Sequence, residues 1–362
     1  MKVLFITLEQ SGRQILKSLL DEKFFNIHKN QIYTFGMNNS YKDFVDITNI
    51  KINSIMGFVN IILNLKYLFK LRRKLNEVVI NNSFTHIFFI DSFDFSKFYI
   101  KKFKSNKIKY CQIVGPSVFI WKSKKANFIN NNFDRIFSIF KVEQPYYKPN
   151  LYRYIGHPLM NKTHFSNSYD KSLKNIGFFL GSRRQEIDNN ILIIKELLYS
   201  LKDQRDLIFN FFITDEFEYF IKDTLKENSN LIFHINDDTY YQKISKLDFA
   251  FACSGTVHLE LCFSNIPHII FYKANYINYF IFKFFVRSHF LSLVNIFNKK
   301  EIIKEYIQSD FNVKNLLLFF KNLRSDKKTL VNYRNNMLRG LADSNFTSFR
   351  PNMIIDYLEK SS

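Results

Sequence analysis

Cysteine is scarce in this chain, which has only Cys111, Cys253 and Cys262 among its 362 residues. An odd count without a spaced framework does not predict disulfides and fits a reducing compartment. The three positions also lack the spacing of a zinc site. Glycine and alanine are few as well, whereas Phe, Lys, Asn and Ile are abundant. Because a bias of this kind is typical of a source genome with an uneven base composition, no single one of the 43 Phe residues counts as evidence of function.

Long uncharged runs are absent too. No stretch of 18 or more residues is free of charge, so the sequence predicts no membrane-spanning helix, and residues 52–65 come closest. The first seven residues lead directly to Glu9, which is too short a run for a signal peptide and predicts a first buried strand. No internal repeat of short, fixed period is present.

Positive charge dominates the composition. There are 52 Lys and Arg against 32 Asp and Glu, a formal net charge of +20 at pH 7. Such a field attracts polyanions, which include nucleic acids, acidic lipids and phosphorylated substrates. Because the chain has no zinc, helix-turn-helix or aromatic-strand motif, we do not expect nucleic acid to be a partner.

Apolar runs typical of buried strands alternate with amphipathic runs typical of helices. The predicted strands are Val3–Thr7, Gln31–Thr34, His86–Ile90, Lys109–Val114, Arg135–Ile139, Tyr152–Ile155, Asn175–Leu180, Leu207–Ile213, Leu231–His234, Phe249–Ala252 and His268–Phe271. The predicted helices include Arg13–Leu20, Val59–Asn76, Ile187–Leu201 and Phe217–Lys226. This alternation predicts an α/β fold with parallel sheets and right-handed crossovers.

So many strands in one open sheet would be unusual, and two Rossmann-like domains are therefore expected. We place the first at residues 1–160 and the second at residues 161–340, with the polar run Asn161–Lys171 as a linker. A C-terminal helix near residues 340–362 could pack back on the first domain.

The most informative segment runs from Ser254 to Cys262. A buried strand precedes it, and Val257, Leu259 and Leu261 give the following residues an apolar helical face. A strand, a small-residue turn and a helix can direct backbone N–H groups at a phosphate, and Glu260 could then accept hydrogen bonds from ribose hydroxyls. The alternative is a tight turn with a solvated Glu. Pro267 is expected to stop this helix.

An ordered set of short motifs resembles the lipid-A-disaccharide synthase family. The matching segments are Gly115-Pro116-Ser117-Val118…Trp121, Ile155-Gly156-His157-Pro158, Gly181-Ser182-Arg183 with Glu186, Ser254-Gly255-Thr256…Leu259-Glu260, and Ser292-Leu293…Asn295 followed by Glu305 and Gln308. Glu9…Ser11-Gly12 resembles the family's first Gly-Glu-x-Ser-Gly-Asp loop, and Ile90-Asp91…Asp94-Phe95 resembles its Ile-Asp-x-x-Asp-Phe loop. The resemblance runs from about residue 3 to residue 340.

The resemblance implies a GT-B glycosyltransferase with UDP-2,3-diacylglucosamine as donor and 2,3-diacylglucosamine 1-phosphate (lipid X) as acceptor. The products would be the β-1,6-linked lipid A disaccharide 1-phosphate and UDP. The family's proposed base falls on Asp91. Donor contacts are expected from Gly181, Ser182, Arg183, Ser254, Gly255, Thr256 and Glu260, and acceptor or cleft contacts from Glu9, Ser11, Gly12, Ser117, Trp121 and His157.

Elementary chemistry supports these roles. An inverting transfer needs a base for the attacking hydroxyl and positive charge for the departing UDP, and the Arg183 guanidinium suits a diphosphate. No Asp-x-Asp motif lies at the donor loops, so we expect neither a metal nor another cofactor. The alternatives are a helix N-cap for Asp91, a surface side chain for Arg183 and an ordered interdomain turn for His157.

The chain also departs from the family pattern. Arg13 stands where the family has Asp, and Lys141, Val294 and Asn161 replace residues usual in the family. Arg13 would change the field beside the expected active cleft by two charges.

The segment between residues 52 and 75 is apolar at first and basic towards its end. Ile55, Phe58, Val59, Ile62 and Phe69 form a candidate membrane patch, which suits a cytoplasmic protein that lies peripherally on the anionic inner face of the inner membrane. The same residues would be core in most soluble proteins. Residues 276–290 could form a second patch or the interface of a homodimer.

Three other functions remain open from the sequence. They are another sugar-nucleotide enzyme of the same fold, such as an epimerase or a transferase with a different acceptor, a non-catalytic protein that binds acylated sugars, and the weakly supported nucleic-acid binder.

Overall fold

Two parallel sheets, each covered by helices, organise the chain. The computed structural model describes residues 1–37, 41–48, 65–120, 124–165, 173–235, 237–273 and 290–361. The chain divides into a first unit, Met1–Pro158 with Thr347–Ser362, and a second unit, Leu159–Phe346.

The first unit is built on seven parallel strands. They are β1 (Val3–Thr7), β2 (Ile32–Phe35), β3 (Val45–Asp46), β4 (His86–Ile90), β5 (Lys109–Ile113), β6 (Arg135–Ser138) and β7 (Tyr152–Tyr154), in the order β3-β2-β1-β4-β5-β6-β7. The strands β1 and β4 are buried along their whole length because they are covered on both faces.

Helices cover both faces of this first sheet. They are α1 (Gln10–Leu20), α2 (Lys23–Ile27), α3 (Leu65–Asn82), α4 (Phe93–Phe103), α5 (Lys124–Asn132) and, at the C-terminus, α14 (Asn352–Lys360). Short 3-10 helices span Lys29–Gln31 and Lys141–Tyr146. The helix α14 buries Ile354, Ile355 and Leu358. Its Tyr357 ring lies 5.8 Å from the ring of Phe137.

The second unit repeats the plan with six parallel strands. They are β8 (Asn175–Phe179), β9 (Ile208–Ile213), β10 (Leu231–Ile235), β11 (Phe249–Cys253), β12 (His268–Tyr272) and β13 (Glu305–Ile307), in the order β10-β9-β8-β11-β12-β13. Phe178 stacks between Phe211 and Phe251 of the two flanking strands, with ring centroids 4.8 and 5.1 Å apart. Aromatic stacking between neighbouring strands thus fills this core.

The helices of the second unit are α6 (Leu159–Lys162), α7 (Arg184–Ser200), α8 (Glu218–Leu225), α9 (Tyr240–Ile244), α10 (Val257–Phe263), α11 (Leu293–Asn298), α12 (Val313–Ser325) and α13 (Lys327–Asp343), with 3-10 helices at Asp215–Phe217 and Gln308–Asp310. Together the two units confirm the predicted α/β class with Rossmann-like parallel sheets. None of the described helices has the length and apolar character that crossing a membrane requires.

The structure differs from the predicted elements mainly at edges and ends. The edge strands β3 and β13 were not predicted, because two or three residues carry no readable apolar pattern. The helix α10 ends at Phe263, before Pro267, because Asn265 adopts a left-handed conformation with φ 60°. The predicted helix Val59–Asn76 is described only from Leu65 and continues to Asn82.

Candidate active site

In each unit the strand order reverses once, between β1 and β4 in the first and between β8 and β11 in the second. Ligands of open parallel sheets bind at such a reversal, beyond the carboxyl ends of the strands. The loops that follow these four strands begin near Glu9, Asp91, Gly181 and Ser254. The predicted candidates therefore flank both reversal points.

Asp91 follows β4 and is held in place by its backbone and its side chain. Both Asp91 and Ser92 have left-handed backbones, with φ 57° and 46°. The Ser11 hydroxyl donates to Asp91 Oδ2 at 2.8 Å, and the Ser92 N–H donates to Oδ1 at 2.9 Å. The Asp91 N–H donates to the carbonyl of Ile113 at 2.8 Å. These contacts fix the direction of a half-buried carboxylate that neighbouring solutes can still reach.

Glu9 and Gly12 belong to the same cluster. The Ser92 hydroxyl donates to Glu9 Oε1 at 3.4 Å, so the two loops are linked. A Cβ at Gly12 would press on the Thr7 hydroxyl and lie 3.2 Å from the carbonyl of Ile90, which explains why helix α1 can approach the strand ends so closely. Asp94, by contrast, is exposed and pairs with Lys125 at 3.2 Å. Asp91 and Asp94 belong to the same sequence motif, but only Asp91 joins this cluster.

The Arg13 guanidinium is directed to backbone carbonyls, and within this cluster its charge acts on Glu9. Its guanidinium is buried, and it donates from Nε to the carbonyl of Gly36 at 2.8 Å and from Nη2 to the carbonyl of Leu8 at 3.3 Å. Burial lowers its pKa, and the charges of Asp46 and Glu9 oppose that shift. Arg13 therefore links the loops after β1 and β2 and acts as a structural cross-link.

A buried acid lies beneath the loop of Ser117. Glu143 is completely buried, and its Oε2 accepts a hydrogen bond from the Ser138 hydroxyl at 2.6 Å. Burial raises the pKa of Glu143 to about 7, against the opposing hydrogen bonds from Ser138 and the backbone of Val118. Ser117 itself is half-buried and has a left-handed backbone with φ 46°. This buried carboxyl group was not among the site residues predicted from the sequence.

His157 is buried near the end of the first unit. Its N–H donates to the carbonyl of Thr347 at 2.9 Å, and its ring lies 5.8 Å from that of Phe140. Burial lowers the pKa of His157 to about 4, so the imidazole is neutral at pH 7. These contacts match the structural interpretation of His157, and its acceptor role stays a prediction.

In the second unit, the loop after β8 folds around Glu186. The Ser182 N–H donates to Glu186 Oε2 at 3.0 Å, and Arg183 Nη1 donates to Oε1 at 2.6 Å. Gly181 has φ +111°, and a Cβ there would lie 2.6 Å from the Glu186 carboxylate, so no other residue fits. The Arg183 side chain is 52% exposed, although it is paired with Glu186.

The turn after β11 requires one correction. Ser254 donates its N–H to the carbonyl of Phe271 at 3.0 Å, as part of the sheet, so this N–H cannot also bind a phosphate. Gly255 and Thr256 are exposed, and a Cβ at Gly255 would meet nothing within 4 Å. Phosphate contacts in this turn are therefore restricted to the two N–H groups of Gly255 and Thr256 and to side-chain hydroxyls.

Asn190 connects the ends of β8 and β11, which precede the two loops expected to bind the donor sugar nucleotide. This residue is buried, and its amide donates to the carbonyl of Leu180 at 2.9 Å and to Cys253 Sγ at 3.5 Å. The carboxyl ends of β8 and β11 are thereby held together. Asn190 was not predicted, although a polar residue between Ile187 and Ile191 on an apolar helix face is a readable signal.

Glu260 is buried in α10, where the Tyr240 hydroxyl donates to its Oε2 at 2.9 Å. Burial raises the pKa of Glu260 to about 7, and the hydrogen bond from Tyr240 and the charge of Lys162 oppose this shift. The carboxyl group is therefore buried, whereas the alternative interpretation required a solvated Glu. Tyr240 was missed, because nothing in the sequence indicates that the short helix α9 faces Glu260.

Three possible metal ligands meet in the described part of the second unit. Candidate ligand atoms of His258, Cys262 and His268 lie within 4.8 Å of one another. However, Nε2 of His258 already accepts a hydrogen bond from the N–H of Leu293 at 3.3 Å, and Cys262 packs in an apolar cluster with Val294. A dication with one thiolate would leave net charge in this core, so the group fits a packed interior better than a metal site.

Some predicted residues lie outside the described part of the chain. They are Trp121 of the acceptor set, Ile55, Phe58, Val59 and Ile62 of the membrane patch, and residues 276–289. Phe69, the remaining member of the patch, is 60% exposed on α3. It is therefore not a core residue.

Comparison with known proteins identifies relatives over nearly the whole chain. The family model for lipid-A-disaccharide synthetase matches residues 3–344. The lipid-A-disaccharide synthase of Campylobacter jejuni serotype O:2 is 33% identical over 282 residues, covering 73% of this chain and 74% of the relative. The synthase of Rickettsia prowazekii is 30% identical over 333 residues, covering 86% of each chain.

Solved structures show the same architecture at low identity. The UDP-GlcNAc 2-epimerase of Neisseria meningitidis, solved with UDP-GlcNAc, has a TM-score of 0.62 at 12% identity and covers 99% of this chain and 100% of its own. MurG of Acinetobacter baumannii has a TM-score of 0.58 at 11% identity, with the same coverage of both chains. These similarities show the GT-B fold alone.

Proposed function

This chain belongs to the lipid-A-disaccharide synthase family, and we propose that it joins UDP-2,3-diacylglucosamine to lipid X with Asp91 as the general base. It is a glycosyltransferase of lipid A biosynthesis. In the proposed reaction a hydroxyl oxygen of lipid X attacks C1 of the donor sugar, and the bond from C1 to the phosphate oxygen breaks. The hydroxyl proton passes to Asp91, and UDP departs with its bonding electron pair.

The anchoring of Asp91 is the observation that best supports this assignment. Ser11 and the Ser92 N–H each occupy one lone pair of the carboxylate, and each oxygen keeps another for the acceptor hydroxyl. A carboxylate that is already held in one direction needs little reorganisation when it accepts the proton. Asp91 also follows β4, at the strand-order reversal of the first unit. The left-handed backbones of Asp91 and Ser92 are held by the surrounding contacts, which keep the carboxylate in one direction.

We assign the UDP group to the second unit. The N–H groups of Gly255 and Thr256 and the hydroxyl groups of Ser254 and Ser182 are the proposed diphosphate contacts. Arg183 carries the positive charge that stabilises the departing UDP. Glu260 keeps one oxygen for Tyr240, and the other is the proposed acceptor for the ribose hydroxyls. No metal ion has a part in this proposal.

The acylated substrates imply contact with a membrane, and helices α3 and α4 carry a suitable surface. Phe69 and Phe98 are 60% and 53% exposed, and the buried guanidinium of Arg72 lies over both rings, at 5.5 and 4.5 Å from their centroids. The side chains of Lys66 and Lys70 are exposed on the same helix as Phe69. Exposed aromatic rings beside cations fit peripheral binding to an anionic membrane, which we propose is the cytoplasmic face of the inner membrane.

The experiment is an assay with purified protein, UDP-2,3-diacylglucosamine and lipid X in mixed micelles, in which disaccharide phosphate and UDP are measured together. Asp91→Asn should lower turnover by about 10²–10⁴-fold, because a base acts chiefly in the transition state. Asp94→Asn, at an exposed position paired with Lys125, is the matched control and should stay close to wild type.

The results distinguish the competing functions. Formation of UDP-sugar epimer without disaccharide would identify an epimerase. Binding of acylated sugar without any product would identify a non-catalytic relative. If Asp91→Asn retains wild-type turnover, the base lies elsewhere, and Glu9 is the next candidate.

A further inference from the structure

Gln112 is a fully buried polar residue in the middle of the apolar strand β5. Its side-chain amide lies below the loops that follow β4 and β5. Nε2 donates to the carbonyl of Asp91 at 2.8 Å and to the carbonyl of Val114 at 3.0 Å, with a longer contact to the carbonyl of Ile113 at 3.4 Å. One amide group thus connects the ends of two neighbouring strands.

The orientation of this amide is determined by its partners. Backbone carbonyls can only accept hydrogen bonds, so the nitrogen must face them. On the other side, the buried Ser96 hydroxyl lies 2.9 Å from Gln112 Oε1 and 2.9 Å from the carbonyl of Phe93, and these two acceptors share its single proton. The backbone carbonyls therefore determine the orientation of the amide, and Ser96 connects it to helix α4.

The two carbonyls that Gln112 holds belong to residues in an unfavourable conformation. Asp91 has φ 57°, and Val114, a β-branched residue, has φ 63°. Asp adopts a left-handed backbone more readily than most residues, but for the β-branched Val114 the crowding of Cβ against the following carbonyl is severe. Conformations of this kind persist only where surrounding contacts impose them. The bonds from Gln112 are contacts of that kind, made directly to both residues.

We propose that Gln112 is a positioning residue of the transfer reaction, which sets the direction of the Asp91 carboxylate by holding the backbone of Asp91 and Val114. This inference rests on the proposed role of Asp91 as base. Gln112 is buried and does not touch the substrates, so it acts only through Asp91 and the loop after β5. UDP is assigned to the second unit, and its binding should not depend on Gln112.

The principal variant is Gln112→Met, which keeps the length of the side chain and removes its donors. We expect kcat to fall by about 10–100-fold, because small displacements of a reacting group have effects of this size. UDP affinity, measured by calorimetry, and the KM for the donor should remain within about twofold of wild type. Val3→Ala, at the buried amino end of β1, is the control for a loss of stability that leaves these loops intact.

A double-mutant cycle with Asp91→Asn separates positioning from general stability. If Gln112 acts through Asp91, Gln112→Met should change the residual turnover of Asp91→Asn by less than about twofold, since coupled residues are not additive. Ser96→Ala leaves Gln112 Oε1 without its partner on helix α4 and should lower kcat by a smaller factor. This second variant also serves if Gln112→Met does not fold.

Several outcomes would overturn the inference. One is a Gln112→Met enzyme with wild-type kcat, and another is an equal loss in the wild-type and Asp91→Asn backgrounds. If Gln112→Met does not fold, a wild-type kcat in the Ser96→Ala enzyme would also overturn the inference. Wild-type turnover in Asp91→Asn removes the base and the inference together, whereas a wild-type protein that forms no disaccharide contradicts the proposed function itself.

Discussion

Replacing Glu143 by Gln should remove part of the pH dependence of the first unit's stability. Glu143 is completely buried beneath the loop of Ser117, and burial raises the pKa of its carboxyl group to about 7. Gln has nearly the same shape, does not titrate, and keeps a carbonyl oxygen to accept from the Ser138 hydroxyl. The variant therefore changes ionisation with little change in packing.

The sign follows from the protons bound in each state. Between the ordinary pKa of 4.5 and the folded pKa of about 7, the folded protein keeps a proton on Glu143 that the unfolded chain releases. The free energy of unfolding therefore falls as the pH rises through this interval and is constant above it. A pKa raised from 4.5 to about 7 corresponds to about 3 kcal/mol, so Glu143 contributes this much stability at pH 4.5 that is lost by pH 8.

The measurement is urea unfolding at pH 5 and pH 8, followed by the fluorescence of Trp121. This is the chain's single tryptophan, and it lies within the segment that forms the first unit. From pH 5 to pH 8 the wild type should lose about 2–3 kcal/mol more than Glu143→Gln does. Asp94→Asn, which changes an exposed carboxylate, should follow the wild type. Parallel losses in wild type and Glu143→Gln would refute the buried-acid interpretation.

Four further results are expected. Glu260→Ala should weaken UDP binding in calorimetry by about 1.5–3 kcal/mol, and unchanged affinity would remove Glu260 from the donor site. EDTA should leave turnover unchanged, since Arg183 and backbone N–H groups neutralise UDP in the proposed mechanism; a clear loss would contradict it. The double variant Phe69→Ser/Phe98→Ser should move from the membrane pellet to the supernatant. Its melting temperature should change little, because both rings are exposed. Salt alone should release the wild-type protein from the membrane incompletely. Arg13→Ala should lower the melting temperature, since it leaves the carbonyls of Gly36 and Leu8 without this donor. UDP affinity should stay unchanged. A normal melting temperature would refute the role of Arg13 as a structural cross-link.

The arrangement of the strands was predictable because buried parallel strands are short, almost wholly apolar runs between polar loops. The runs at Val3–Thr7 and His86–Ile90 were predicted with the bounds that the structure has. Where the pattern is weak, the prediction fails. The strand Val45–Asp46 pairs with β2 through only two residues, which are too few to show an apolar pattern.

The loops of the candidate site were predictable for a similar reason, since they follow the strand ends in the sequence. The groups that hold them were not. Gln112 reaches a carbonyl 21 residues away, and Tyr240 reaches a carboxylate 20 residues away, so no local pattern relates the partners. The N–H of Ser254 was assigned to phosphate because its pairing with Phe271 depends on the register of β11 with β12.

The return of the chain to the first unit after the second unit has a consequence for synthesis on the ribosome. Helix α14 supplies Tyr357, whose ring packs against His86 and Phe137. Tyr357 is translated after the second unit, so the first sheet must wait for this covering helix until Leu159–Phe346 has emerged. The nascent first unit meanwhile exposes apolar surface that the finished protein covers, and such surface is prone to aggregate. A truncation that removes Thr347–Ser362 should therefore lower the soluble yield of a chain whose second unit is intact.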